Sequence, residues 1–368
     1  MTDTNDIKPL NWPDDEKMLE SLLASHVLDN KNDYMASWHE ANDYEPAEGL
    51  FEDDSDDENN DIITPDVKPI IKNNGIIWAS NDDNHVFNDV IKPGDLKHIL
   101  TRTQKSAEAR KNRTKMKAEV FTPSWVCSLQ NDMADDYIFE KEGVFGKVDV
   151  PNKTWIPNKN KIPFDSINDR IEFIISRRME ITCGEAPYIC QRYDATTGLE
   201  IPVINDDGSY ARSGILDRKL RVITENDELN ADNDTWCELA KVALKSTYGY
   251  EWQGDNLLIA RYNIVNDIIE WHDAIYPDEE LSIDYIRSLY EIASWNIWQM
   301  DGLKQVIPSS CSASCKSCKN KIAYNHDGIY PVISWWNPIS EENNPADNEL
   351  RPYSCIVEYN SVRASDNK

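Results

Sequence analysis

The chain has 368 residues, 40% of them hydrophobic, and a formal net charge of −28. This length supports one large domain or two smaller ones. No run reaches the ~18 consecutive apolar residues of a membrane helix, and the opening MTDTNDIKPL lacks the basic-then-apolar profile of a secretion signal. A cytoplasmic protein with no membrane partner is expected.

So strong a negative charge, spread evenly, would argue against nucleic acid, because phosphates repel an acidic surface. It is not spread evenly. Residues 1–65 carry 19 Asp or Glu against three Lys, a net charge of −16, and include the run from Phe51 to Asp61. Like charges this dense repel one another and bury no core. Residues 1–65 are therefore expected to form an acidic, largely disordered tail. Met18, Leu19, Leu22, Leu23 and Val27 nevertheless recur at helical spacing, which allows one short amphipathic helix there.

Residues 66–118 read as a small region ending in a basic helix. Ile70-Ile71 and Gly75-Ile76-Ile77-Trp78 suggest short strands. Between Gly94 and Ala118, Arg102, Lys105, Arg110, Lys111, Arg113 and Lys115 lie among few acids, with no Pro to break a helix. A basic helix of this kind can follow a DNA backbone; the plainer reading is a solvated helix or linker.

Residues 119–140 read as a loop and a helix, and 141–165 as loop with short strands. A strand should end at Met179-Glu180-Ile181. The turn signals Thr196-Thr197-Gly198 and Asn205-Asp206-Asp207-Gly208 suggest an inserted hairpin over 191–225. A helix at 234–245, a strand at Tyr248-Gly249-Tyr250, a helix at 254–276, a helix at 281–293 and a strand at 294–298 follow. This alternation argues for an α/β sheet.

Three segments carry the functional reading: Glu119-Val-Phe-Thr-Pro-Ser-Trp-Val126, Glu180-Ile-Thr-Cys-Gly-Glu-Ala-Pro-Tyr188 and Tyr248-Gly-Tyr-Glu-Trp-Gln-Gly-Asp-Asn-Leu-Leu-Ile-Ala-Arg-Tyr-Asn263. A Gly after a first strand lets backbone approach a ligand closely, and the helix that follows offers free N–H groups. A carboxylate ending a second strand accepts hydrogen bonds from two ribose hydroxyls. Gly184 and Glu251 suit these roles, and Trp252 suits stacking on a base. The alternative is that Glu180 and Glu251 only cap helices.

In this order, over roughly residues 105–308, the segments resemble the S-adenosylmethionine (SAM) binding half of DNA adenine-N6 methyltransferases, notably restriction endonuclease subunit M proteins. The resemblance implies a Rossmann-like α/β methyltransferase domain over 119–308. It implies a cofactor site of Phe121, Thr122, Pro123, Glu180, Cys183, Gly184, Glu251, Trp252 and Asp301, the last receiving the adenine amino group. It further implies double-stranded DNA and a restriction or specificity subunit as partners.

One part of the family pattern is missing. The catalytic tetrad of that family, Asp or Asn followed by Pro, Pro and an aromatic residue, does not occur. The nearest string is Ser334-Trp-Trp-Asn-Pro-Ile339, which makes Asn337 and Pro338 the candidate catalytic pair and leaves Trp335 and Trp336 to stack on a flipped base. About 65 residues follow Asp301, room for two or three further strands at ordinary lengths, so the sheet is expected to be incomplete. A catalytically inactive, methyltransferase-like interaction protein, mimicking DNA through its acidic tail, is the rival reading.

Residues 309–368 hold the remaining signal. Cys311, Cys315 and Cys318 lie close in sequence, and His326 follows. Tetrahedral zinc accepts a Cys₃His set, and Cys-x₂-Cys is a normal ligand pair. Lys316, Lys319 and Lys321 should favour thiolates. Cys355 is an alternative fourth ligand, and free thiols on a loop are the plainer reading. Cys127, Cys183, Cys190 and Cys237 read as buried core thiols.

Overall fold

A computed structural model describes residues 10–29, 71–76, 81–82, 85–86, 90–117, 119–321, 326–336 and 349–352. The acidic run 51–61, the expected strand residues 77–78 and the pair Asn337 and Pro338 lie outside the described residues.

The organising element is a three-stranded parallel sheet of β7 (Arg178–Ile181), β8 (Thr247–Glu251) and β9 (Ile297–Gln299), with β8 central. Its register pairs Glu180 with Gly249 and Glu251 with Gln299, so the three strands end together. Parallel strands need long crossovers, and helices supply them. α5 (Ile215–Thr224) and α6 (Asn233–Lys245) connect β7 to β8; α7 (Gly254–Ile275) and α8 (Ile283–Asn296) connect β8 to β9.

The helices start where the chain provides caps. Ser166 accepts from the Asp169 N–H ahead of α4 (Ile167–Ile175), Asp232 from Thr235 ahead of α6, and Ser282 from Tyr285 ahead of α8. α7 is enclosed: Leu257, Leu258, Ile259, Ile264, Val265, Ile268 and Trp271 along it are all fully buried. Only Asp273 and Ala274, near its end, are exposed; a helix so largely covered must find partners for its polar residues inside the protein, and those partners define much of the fold. Outside the sheet lie the antiparallel pairs β1 (His26–Leu28) with β2 (Ile71–Asn73), β3 (Asn81–Asp82) with β4 (His85–Val86), β5 (Gly146–Asp149) with β6 (Thr154–Pro157), and β10 (Val332–Trp335) with β11 (Glu349–Pro352).

Two expectations are corrected. Residues 10–29 are part of the folded body: α1 (Glu16–Leu22) packs on α8 with Met18, Leu22, Leu23 and Val27 buried, and Val27 sits in β1 rather than on the helix. Arg261 of α7 explains this attachment. Its guanidinium donates to the carbonyls of Leu22 (2.8 Å), Ala24 (2.7 Å), Ser294 (2.8 Å) and Ile297 (2.8 Å). Residues 191–214 form two short antiparallel reversals rather than one hairpin. Their two turns are closed by single bridges, Tyr193 to Glu200 and Ile204 to Tyr210, and the chain then enters α5. Backbone bonds cross each turn, from the Ile201 N–H to the Arg192 carbonyl (2.8 Å) and from the Ala211 N–H to the Val203 carbonyl (2.9 Å), and side chains reinforce them: Asp194 takes the N–H groups of Thr196, Thr197 and Ser124.

Candidate functional site

A cavity of about 960 Å³ opens at the carboxyl ends of β7 and β8. This is the edge at which open parallel sheets place their ligands. It is lined by Phe121, Thr122, Glu180, Cys183, Gly184, Glu251 and Trp252, seven of the nine residues the sequence nominates for a cofactor. Its mouth is apolar: Val120, Ile138 and Ile181 line it and are 76%, 59% and 64% exposed.

The turn after β7 is held in an uncommon conformation. Thr182, Gly184 and Ala186 all have positive φ (55°, 56° and 67°). Only Gly adopts this region freely, so Thr182 and Ala186 store strain of the kind that gathers at ligand sites. Cys183 N–H donates to the Tyr250 carbonyl (2.9 Å), and Gly184 N–H donates to Glu251 Oε2 (2.8 Å). The other oxygen of Glu251 takes the Gln253 N–H (3.0 Å) ahead of α7. Glu251 thus ties the first turn to the second, and burial pushes its carboxyl up to about 6.

Glu180 stands on β7 opposite Gly249, two residues before Glu251 on the neighbouring strand. Burial, then the charge of Glu251, raises its carboxyl well above the ordinary value, although backbone N–H groups of Tyr188 and Ile189 partly offset this. Its Oε2 is shielded from solvent and has no hydrogen-bond partner. The Gln253 side-chain amide, also on the cavity wall, lacks partners at both Oε1 and Nε2. Such orphaned polar atoms cost roughly 1–3 kcal/mol each. Two neighbouring carboxyls in poor solvation and an unpaired amide suit a ligand that brings positive charge and further polar groups. The sequence did not single out Gln253, Tyr188 or Asn256, which also line the cavity. Gln253 lies between the strand-end acid and the helix start, and that position is the signal that marks it.

Two nominated residues stand elsewhere. Asp301 is two residues past β9, where its Oδ1 takes the N–H groups of Leu303 (3.0 Å) and Lys304 (3.2 Å); it closes a turn. Gln299 occupies the strand end instead and donates through Nε2 to the Trp252 carbonyl (3.2 Å). Pro123 is the residue ahead of α3 (Ser124–Ile138), its carbonyl taking the Val126 and Cys127 N–H groups. The tryptophans beside Asn337 are used in packing. Trp336 is fully buried and donates to Asn296 Oδ1 (2.6 Å), and Trp335 stacks on Tyr248 beneath Arg177.

The basic segment divides in two. α2 (Ala107–Lys117) turns Arg113 inward, where it meets Asp255 (3.0 Å) and Glu119 (2.5 Å), while Lys105 meets Asp255 (2.9 Å). Both cations are 4% exposed and are not available to a phosphate. Burial acts to raise the Asp255 carboxyl, but the charges of Lys105 and Arg113 override it and hold it below its ordinary value. Their work is structural: they fix the segment before Phe121 to the start of α7. Arg102, Arg110, Lys111 and Lys115 remain together around a shallow concavity of about 400 Å³ with Thr114 and Thr196.

The thiols Cys127, Cys183, Cys190 and Cys237 are buried. Cys311, Cys315, Cys318 and His326 converge: their ligating atoms all lie within 4.8 Å of one another, and the group could hold a metal ion. Cys355 lies outside the described residues. The Cys315 thiol is held below its ordinary value by backbone N–H groups of Asp327 and Cys318, not by the lysines.

No protein-family model matches the chain, and no match was found among curated proteins or solved structures. Among the described residues no helix is long and apolar enough to cross a membrane.

Proposed function

We propose that the protein binds SAM in the cavity at the ends of β7 and β8 and acts as an adenine-N6 DNA methyltransferase or modification subunit, on a Rossmann-like sheet of which β7, β8 and β9 are the first three strands. The observation that carries this reading is the convergence of Phe121, Thr122, Glu180, Cys183, Gly184, Glu251 and Trp252 on one cavity. They come from three segments far apart in sequence, and the sheet brings them together.

The residues fit such a ligand. The cavity volume is within the range of small-molecule sites, ~300–1,000 Å³. Glu251 keeps acceptor capacity beyond its two backbone bonds and serves the ribose hydroxyls. Trp252 stacks on the adenine. Glu180 and the Gln253 amide take the polar methionine end, which satisfies atoms for which the protein itself provides no partner. SAM supplies an activated methyl group; the chain's own contribution is orientation and exclusion of water. Arg110, Lys111 and Lys115 form the face offered to a DNA backbone, Arg102 beside them being committed to Glu119 and the Phe121 ring, and a specificity or restriction subunit supplies sequence reading.

Transfer of labelled methyl from SAM to unmodified double-stranded DNA tests this directly. Incorporation that Trp252→Ala lowers at least about tenfold supports it. Absence of transfer with SAM bound and DNA present leaves the second reading, a non-catalytic interaction protein with an acidic DNA-mimicking arm. One finding favours that alternative: Lys105 and Arg113, central in the basic run, are spent on internal ion pairs. A variant lacking residues 30–65 separates the two, because methyl transfer survives the deletion under the first reading and partner binding is lost under the second.

A further inference from the structure

We propose that Cys311, Cys315, Cys318 and His326 bind one Zn²⁺ as a closed tetrahedral structural site, which fastens the loop between β9 and β10 to the body of the protein.

The geometry is that of a metal site already formed. His326 Nδ1 lies 3.7 Å from Cys311 Sγ, 3.6 Å from Cys315 Sγ and 3.4 Å from Cys318 Sγ. Zinc bonds of ~2.3 Å to sulfur and ~2.0 Å to nitrogen at tetrahedral angles put a sulfur and a nitrogen about 3.5 Å apart. Each thiol therefore stands at the separation from the ring that a shared ion would impose, and all four ligating atoms lie within 4.8 Å of one another. No two of the cysteines are paired with each other in a disulfide. Three thiols and an imidazole packed this closely without an ion would be poor partners for one another, since S–H donates weakly.

The surroundings support the ligands. Cys315 precedes the short helix α9 (Lys316–Asn320), and the Cys318 N–H points at its sulfur (3.5 Å). Bonds from backbone N–H to a ligating sulfur are the usual outer support of a zinc–thiolate site. Asp327, next to His326, takes the Ser312 N–H (3.0 Å) and hydroxyl, so the two arms of the site are joined beside the ligands. Tyr330 donates to the His326 carbonyl (2.9 Å), fixing the backbone that carries the ring. Four protein ligands leave no open position, which marks a structural rather than a catalytic zinc.

The loop explains the need. From Ile307, whose N–H donates to the Ile329 carbonyl, to Ile329 itself, α9 is the only regular element among the described residues. At its far end the chain enters the segment that docks on the N-terminal strand: Leu28 N–H donates to the Tyr330 carbonyl, and Val27 bridges to Pro331. An ion closing residues 311 to 326 thus sets where β10 begins. This role does not depend on what the cavity binds.

Metal content of the full-length chain, purified and then reconstituted with zinc and dialysed against metal-free buffer, tests the proposal. About one zinc per chain is expected, and replacement by Co²⁺ should give the intense visible bands of tetrahedral cobalt–thiolate. The double variant Cys315→Ser/Cys318→Ser should hold less than about a tenth as much, while Cys237→Ser keeps the full amount. In hydrogen exchange, chelation should deprotect amides of 311–329 and leave α7 protected, which separates loss of the ion from loss of the fold. A wild-type chain that holds no zinc after reconstitution overturns the proposal, as does a double variant that holds as much as wild type.

Discussion

Glu251 is the residue on which most of the candidate site turns. Its carboxylate fixes the Gly184 turn and the start of α7 at once, and it is buried. Burial places its titration near pH 6. The folded-state value is raised above the ordinary 4.5, so the ligand-free fold loses stability as pH rises from about 4.5 to about 6 and is level above that. Binding of a cationic ligand has the opposite dependence, because it needs the charged carboxylate. Its affinity should rise with pH through about 6, with each unit below that costing up to about tenfold; calorimetric titrations at about pH 5 and about pH 7.5 check the sign. Gly184 gives a second prediction. A Cβ there would find ordinary contact distance to the Phe121 ring, 3.6 Å, but φ of +56° is costly for any L side chain. Gly184→Ala should lose about 1–2 kcal/mol in chemical denaturation.

At the scale of elements, α7 is the hub, and Arg261 joins it to α1, α8 and β9 through four short bonds to carbonyls. Arg261→Met would leave those carbonyls buried without a donor. A loss of at least about 3 kcal/mol is expected, together with faster hydrogen exchange over 19–28; unchanged exchange there would show that α1 is held by packing alone. The sequence made the helices over 234–245, 254–276 and 281–293 visible, whereas α4 and the caps Ser166, Asp232 and Ser282 emerge only in the fold. It did not make the docking of residues 10–29 visible. The charge of the first 65 residues masks the six apolar residues that are buried, Met18, Leu22, Leu23, Ala24, Val27 and Leu28, and the partner they need lies more than 230 positions away. The expected hairpin at 191–225 became two short reversals for a related reason: turn residues specify a reversal, but not how far the flanking backbone goes on pairing with itself.

For the whole molecule, three segments scattered over 119–263 meet at one edge of a three-stranded sheet, and that meeting was legible because each segment joins a strand end to a turn. The misassigned residues were of commoner types. Asp301 is an acid past a strand end, a position that turns use equally well, and Lys105 and Arg113 belong to a basic run whose spacing does not reveal which side chains face inward. Inside the protein those two cations balance Asp255 and Glu119, so the basic surface is narrower than the sequence suggests, with Arg102, Arg110, Lys111 and Lys115 around Thr114 and Thr196. Substituting Arg110, Lys111 and Lys115 together by Ala should weaken DNA binding and flatten its salt dependence by up to about three units of slope, with thermal stability unchanged; a fluorescence titration across salt concentrations reads this.

The most direct test of the account is titration of SAM into the folded protein by calorimetry, after any co-purified ligand has been removed. Saturable binding at one site per chain is expected, weakened at least about tenfold by Trp252→Ala and by acidification below about pH 6. Absence of saturable binding by a protein shown to be folded would contradict it.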